Sequence, residues 1–253
     1  MCLIFLSLNN HPTYKLIIAA NRDEFYQRKT ASAEYWSDHP EILGGRDLEA
    51  SGTWMAMNKK GRVAMVTNYR DLKNLKQTAP SRGALVSEFL LTDVSAQQYL
   101  KAIEPKADTY NGFNLLVGNV DELYYLSNYK QGIEKLSKGI HGLSNALLNT
   151  SWPKVEKGKA YFASLINKQE VDPEVLFTML YNEERAPDNL LPDTGVGIER
   201  ERMLSSMFIK SPNYGTRCST VMLVRHDNHV QYHERVYDLQ TFAHNTRTYE
   251  LSV

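Results

Sequence analysis

The sequence predicts an α+β fold built on antiparallel strands, and three observations predict it. Apolar runs of strand length come in pairs across short polar turns, as in CLIFLSL, NNHPT and YKLIIAA. Segments with helical spacing are gathered in the middle of the chain instead of alternating with strands. The chain then returns to paired runs, RCSTVMLVR and HVQYHERVY, around the turn HDN.

The elements follow in order. CLIFLSL and YKLIIAA are apolar on both faces, so they read as strands covered on both sides. GTWMAM, the turn Asn58-Lys59-Lys60-Gly61 and RVAMVTNY form a second hairpin, and FNLLVGNV with DELYYLS a third. The glycines of ILGGRD and EASGTW match neither GxxxxGK[ST] nor GxGxxG and read as turns. Ser81 caps a helix reaching about Asp93, with Leu85, Val86, Phe89 and Leu90 on one stripe. SAQQYLKAIEP continues as another helix. Ser151 precedes WPKVEKGKAYFASLINK, where Val155, Phe162, Leu165 and Ile166 share a face. Asp172-Pro173 starts the helix PEVLFTMLYN. The Pro-, Asp- and Asn-rich stretch 182–197 reads as a long loop. One domain over residues 1–253 is expected. Strands apolar on both faces need cover on each side. Two stacked sheets backed by helices satisfy this, and so does one sheet with helices on both faces. Periodicity leaves both open.

Composition narrows the function classes. The 253 residues carry 29 Lys plus Arg against 29 Asp plus Glu, with no long basic run, which argues against a nucleic-acid partner. Two cysteines build no disulfide framework, so a reduced, cytoplasmic protein is expected. CLIFLSL lacks a positive flank and a cleavage site and is too short to cross a bilayer, so no transmembrane segment is expected there. His226, His229 and His233 straddle a turn, and no Cys or paired carboxylate completes a ligand set. Neither a metal nor another cofactor is expected, and the oligomeric state is open.

The chemistry begins at Cys2. Removal of Met1 would leave a thiol and a free α-amino group on one residue. The amine has an ordinary pKa of about 7.7–8.0 and the thiol about 8.5. Together they make a nucleophile with its own base. AANRDEF places Asn21, Arg22, Asp23 and Glu24 at the exit of the second strand. In a hairpin that exit lies beside the start of the first strand, so Arg22 and Asp23 come near Cys2. A guanidinium favours the thiolate and a carboxylate holds an ammonium. Asn68 in VTNY, Asn145 in HGLSNA and Arg217 in YGTRCST also end apolar runs, and Asn side chains with backbone N–H groups make oxyanion holes. Cys218 reads as a small core residue.

The stretches MC, AANRDEF, GGRD, SGTW, VTNY, SRG, NGFNLL, HGLSNA and YGTRCST, in this order, resemble the NRDE-domain family, that of transport and Golgi organization protein 2. The resemblance covers residues 2 to about 225 and is similar to a branch of the N-terminal nucleophile hydrolases. It implies the four-layer αββα sandwich of two mainly antiparallel sheets. By likeness to choloylglycine hydrolases and penicillin V acylases, it also implies roles. Cys2 matches the nucleophile. Arg22 and Asp23 resemble the supports of thiolate and amine, although here they are adjacent. Asn68 and Asn145 look like oxyanion and substrate-amide contacts, and Arg217 like a late supporting arginine. Asn21 and Glu24 are expected to contact substrate. The function this implies is cysteine amidohydrolysis of a small or acylated linear amide. The alternative is a non-catalytic protein that binds or carries haem or a lipid-like ligand on the same scaffold.

Overall fold

The computed structural model describes residues 2–253; Met1, and with it the expectation that it is removed, lies outside the described residues. The strands are β1 Cys2–Leu8, β2 Tyr14–Phe25, β3 Thr30–Tyr35, β4 Ile42–Asp47, β5 Met55–Asn58, β6 Arg62–Asn68, β7 Phe113–Asn119, β8 Leu123–Ser127, β9 Lys130–Lys135, β10 Gly139–Leu143, β11 Tyr214–Arg225, β12 His229–Tyr237 and β13 His244–Ser252. The helices are α1 Arg82–Leu91, α2 Ala96–Ile103, α3 Pro153–Leu165, α4 Pro173–Leu180 and α5 Ile198–Leu204.

The strands form two antiparallel sheets. The first runs β10-β1-β2-β11-β12-β13 and the second β3-β4-β5-β6-β7-β8-β9. Strand alternation assigns the cores. Ile4, Leu6 and Leu8 of β1 meet Leu43, Met57, Val63 and Met65 of the other sheet in a dry layer between the two. Leu3 and Phe5, on the opposite face of β1, pack under Val155, Phe162 and Phe177 of α3 and α4. Leu85, Phe89 and Leu100 of α1 and α2 cover the outer face of the second sheet. The result is the αββα sandwich, and the single-sheet option falls away. All seven residues of β1 are buried, as a strand apolar on both faces requires. No helix among the described residues is long and apolar enough to cross a membrane.

Several elements depart from the sequence reading. ILGGRD is a strand, β4, and not a turn. AANRDEF lies inside β2 rather than beyond it. Strand β13 and helix α5 were not anticipated, and both are short or polar. Ser81 occupies the N-cap of α1 but makes no side-chain cap bond. Trp152, not Ser151, is the N-cap of α3. Asp172 caps α4 by accepting the Glu174 N–H, as expected.

Candidate active site

The β1–β2 hairpin sets Cys2 directly opposite Arg22. β11 pairs on the other side of β2 and sets Cys218 opposite the same Arg22. Cys2 lines a cavity of about 340 Å³ between the sheets, together with Arg22, Asp23, Glu24, Asn68 and Arg82. Stretches far apart in the sequence therefore meet in space, although up to about 110 residues separate them: Asp47 comes from GGRD, Thr53 and Trp54 from SGTW, Ser81 and Gly83 from SRG, Asn111 from NGFNLL.

The glycines in these stretches are there for close approach. A Cβ on Gly45 would lie 2.2 Å from the Trp54 ring. With that space open, Trp54 lies under Arg22, whose Cζ is 4.1 Å from the ring centroid. Gly52 and Gly83 touch backbone to backbone; a Cβ on Gly52 would sit 2.5 Å from the Gly83 carbonyl carbon. That contact fastens the start of α1 to the rim of the cavity. Arg22 is fixed further by donating to Thr30 Oγ1 at 3.1 Å, and its Nη2 is 3.9 Å from Asp47.

The electrostatics are governed by burial. Burial pushes the Cys2 thiol up; Asp23 and Glu24 add to this while Arg22 opposes it. Burial also raises the Asp23 carboxyl against the Lys154 charge and the Thr216 hydroxyl, which donates to Asp23 Oδ1 at 2.7 Å. Burial pushes Lys154 down to about 8, with Arg70 acting in the same direction. Lys154 donates to the Leu204 carbonyl at 2.8 Å. Glu24 lies below the usual range: burial works against ionisation, and the Phe25 N–H and the Arg22 and Arg28 charges are among the influences that favour it.

The expected site residues divide. Cys2, Arg22, Asp23, Glu24 and Asn68 line the cavity. Asn145 stands behind it: its Nδ2 donates to the Asn68 carbonyl at 3.0 Å, and its own carbonyl accepts the Arg70 N–H at 2.7 Å. It braces Asn68 and is not among the residues that line the cavity. Asn21 is also engaged elsewhere. It projects to the helix face of β2, where its Nδ2 donates to the carbonyls of Leu180 and Met207 and its Oδ1 accepts from Ser219. A substrate contact would break those bonds. Arg217 sits where β11 slips register against β2, and there its Nη1 donates to the carbonyls of Phe25, Tyr26 and Arg28. It shores up the loop after β2 and stays out of the cavity that holds Cys2.

Sequence reasoning missed Trp54, Asp47 and Arg82 as site residues. SGTW, GGRD and SRG were visible as motifs, but nothing in the sequence ties them to Cys2 across the gap between sheets. The three histidines do not converge. His226 contacts the His11 carbonyl, His233 contacts Thr248, and among the described residues no group of three or more His, Cys, Asp or Glu is arranged to hold a metal ion.

Residues 1–239 match the family described as Transport and Golgi organisation 2. The human Transport and Golgi organization protein 2 homolog is 37% identical over 276 residues, covering 100% of this chain and 99% of its own length. The mouse homolog is 34% identical over 275 residues, covering 100% of this chain and 99% of its own. Among solved structures, the mutant C2A conjugated bile acid hydrolase from Clostridium perfringens superposes with a TM-score of 0.52 at 11% identity, covering 100% of this chain and 99% of that one. A Caenorhabditis elegans ortholog of N-acylethanolamine-hydrolyzing acid amidase gives 0.50 at 9% identity, covering 88% and 92%. At such low identity these two likenesses show the fold, that of N-terminal nucleophile hydrolases.

Proposed function

The chain belongs to the Transport and Golgi organisation 2 family, and we propose that it is a cysteine amidohydrolase whose nucleophile and base both reside on Cys2. One observation carries the reading: the thiol at the head of β1 opens onto a cavity of about 340 Å³ beside a fixed guanidinium and a buried carboxylate. The bile acid hydrolase and the acid amidase that share the fold support the reaction class by likeness.

The chemistry follows from the geometry. Removal of Met1 frees the α-amino group of Cys2. The thiol is held protonated by burial, so it needs that base. The amine takes the thiol proton as sulfur attacks the amide carbon. Arg22 favours the thiolate, and Asp23 holds the resulting ammonium. Asn68, braced by Asn145, stabilises the carbonyl oxygen as it gains charge. The ammonium then gives its proton to the leaving amine, the C–N bond breaks and a thioester remains. Water, deprotonated by the same amine, attacks the thioester and releases a carboxylate and the thiol. A haem- or lipid-carrying role gains less support, because Arg22, Asp23, Glu24, Arg28, Asp47 and Arg82 put charge on the wall.

The test is a panel of linear acyl amides offered to protein whose intact mass shows the loss of Met1. Turnover is expected, with a thioester adduct visible by mass on rapid quench. Cys2→Ala should lower kcat by at least about a thousandfold while the thermal midpoint shifts little. Turnover that persists in Cys2→Ala would overturn the mechanism.

A further inference from the structure

Three guanidinium groups line the Cys2 cavity, those of Arg22, Arg28 and Arg82. Two are committed. Arg22 is held by Thr30, Asp47 and the Trp54 ring. Arg28 Nε donates to Asp47 Oδ2 at 2.6 Å, and its Nη1 lies 3.6 Å from Glu49. Arg82 differs. Its Nη1 donates to the Gly112 carbonyl at 2.9 Å, and among the described residues no carboxylate forms an ion pair with it. A guanidinium has five donors, so most of its capacity is left over. It is also partly buried, which is costly for a charge, and Glu24 offsets that cost electrostatically without forming an ion pair with it.

We propose that Arg82 is the specificity residue of this cavity, and that the amide hydrolysed there carries a carboxylate or similar oxyanion seated on Arg82 at the start of α1. The proposal rests on the amidohydrolase reading for its substrate class. Arg82 is the first residue of α1, and Ser81, Arg82 and Gly83 all line the same space. Ser81 makes no side-chain cap bond, although its carbonyl accepts the Ala84 N–H at 3.2 Å, and the helix dipole adds to the guanidinium.

The acids of the cavity leave this end to an anion. Asp47 is saturated by Arg28 and the N–H groups of Glu49 and Ala50. Asp23 accepts from Thr216. Glu24 faces the cavity with its carboxyl on the Phe25 N–H and repels an anion from its own side. An incoming oxyanion is thereby directed to α1, a bidentate pairing is open to it there, and the scissile carbonyl is left toward Cys2.

The test uses two probes of equal shape, hexanoylglycine and its neutral amide, hexanoylglycinamide. Their affinities are measured by calorimetry on the Cys2→Ala protein, so binding is read without turnover. With Arg82 present the acid should bind about tenfold or more tightly than the neutral amide, and added salt should shrink that ratio. Adding Arg82→Gln, which keeps a donor for the Gly112 carbonyl, should bring the ratio to within about twofold, and Arg82→Lys should restore part of it. No acid preference with Arg82 present, or a preference that survives Arg82→Gln, overturns the proposal. An acid preference that tracks Arg82 in a protein that turns over no amide would keep the anion site and remove the amidase reading.

Discussion

Arg22 has a cysteine on each side of it. Cys2 and Cys218 face it from β1 and β11 and are therefore two strand spacings apart, about 10 Å between Cα atoms. That is beyond disulfide reach. Cys218 keeps company with Glu234, whose Oε2 accepts the Ala33 N–H across the gap between the sheets at 2.5 Å, while its Oε1 has no partner among the described residues. Burial pushes Glu234 up to about 7 from 4.5. An acid raised in the folded state binds a proton there that the unfolded chain has already released. Stability therefore falls as pH rises from the ordinary carboxylate value to about 7, and the loss is complete above that. Such a shift corresponds to roughly 3 kcal/mol. Glu234→Gln keeps an acceptor for Ala33 and removes the charge. Urea unfolding should show the Gln protein more stable by up to roughly 3 kcal/mol near pH 8 and little different near pH 4. A gap that does not widen with pH would mean that Glu234 is not buried as an acid. At this same scale strand alternation decides where Asn21 points. Successive strand residues face opposite ways, so once Arg22 is opposite Cys2, Asn21 must point at the helices.

At the scale of elements, the long loop and α5 depend on one buried ion pair. Arg70, just after β6, donates from Nη1 to Glu201 Oε2 of α5 at 2.8 Å, with both side chains under 5% exposed. Glu201 Oε1 also accepts the Thr194 N–H and hydroxyl, so the stretch before α5 is tied to the same point. Removing one partner of such a pair strands the other charge. Glu201→Ala should cost about 3–5 kcal/mol, whereas Arg70→Met combined with Glu201→Leu should cost less than that single change. Chemical denaturation of the three variants checks this, and a double variant weaker than Glu201→Ala would refute it. This pair also shows why α5 escaped the sequence reading. IERERML has charges on most sides, and its buried glutamate cannot be told from a solvated one until Arg70 is placed beside it. Strand β4 hid for a different reason. Gly44 and Gly45 look like a turn, yet they are glycines because Ala56 and the Trp54 ring occupy the places their Cβ atoms would take. By contrast the β1–β2 and β11–β12 hairpins were legible, because their registers are set by local turns and their apolar runs are long.

At the scale of the whole molecule, the two sheets bring Cys2 to Arg82, Trp54 and Asn68, contacts that no local pattern encodes. The sandwich also sets the place of Cys2. Position 2 is the first residue of a central strand flanked by β2 and β10, and its thiol faces the cavity. An amine serving as base has to be on that same residue, so any chain ahead of Cys2 converts the base to an amide and removes its lone pair. The fold, in contrast, draws its stability from the layer between the sheets and from the helix layers outside them. Catalysis and folding should therefore separate cleanly. A cleavable N-terminal fusion, cut so that Cys2 becomes the first residue, should be inactive on amides before cleavage and active after it. The thermal midpoint should move by only a few degrees, because no core contact changes. Equal turnover before and after cleavage would show that the α-amino group is not the base, and the proton would then have to be taken by a side chain of the cavity, with Asp23 the nearest carboxylate in sequence to Arg22.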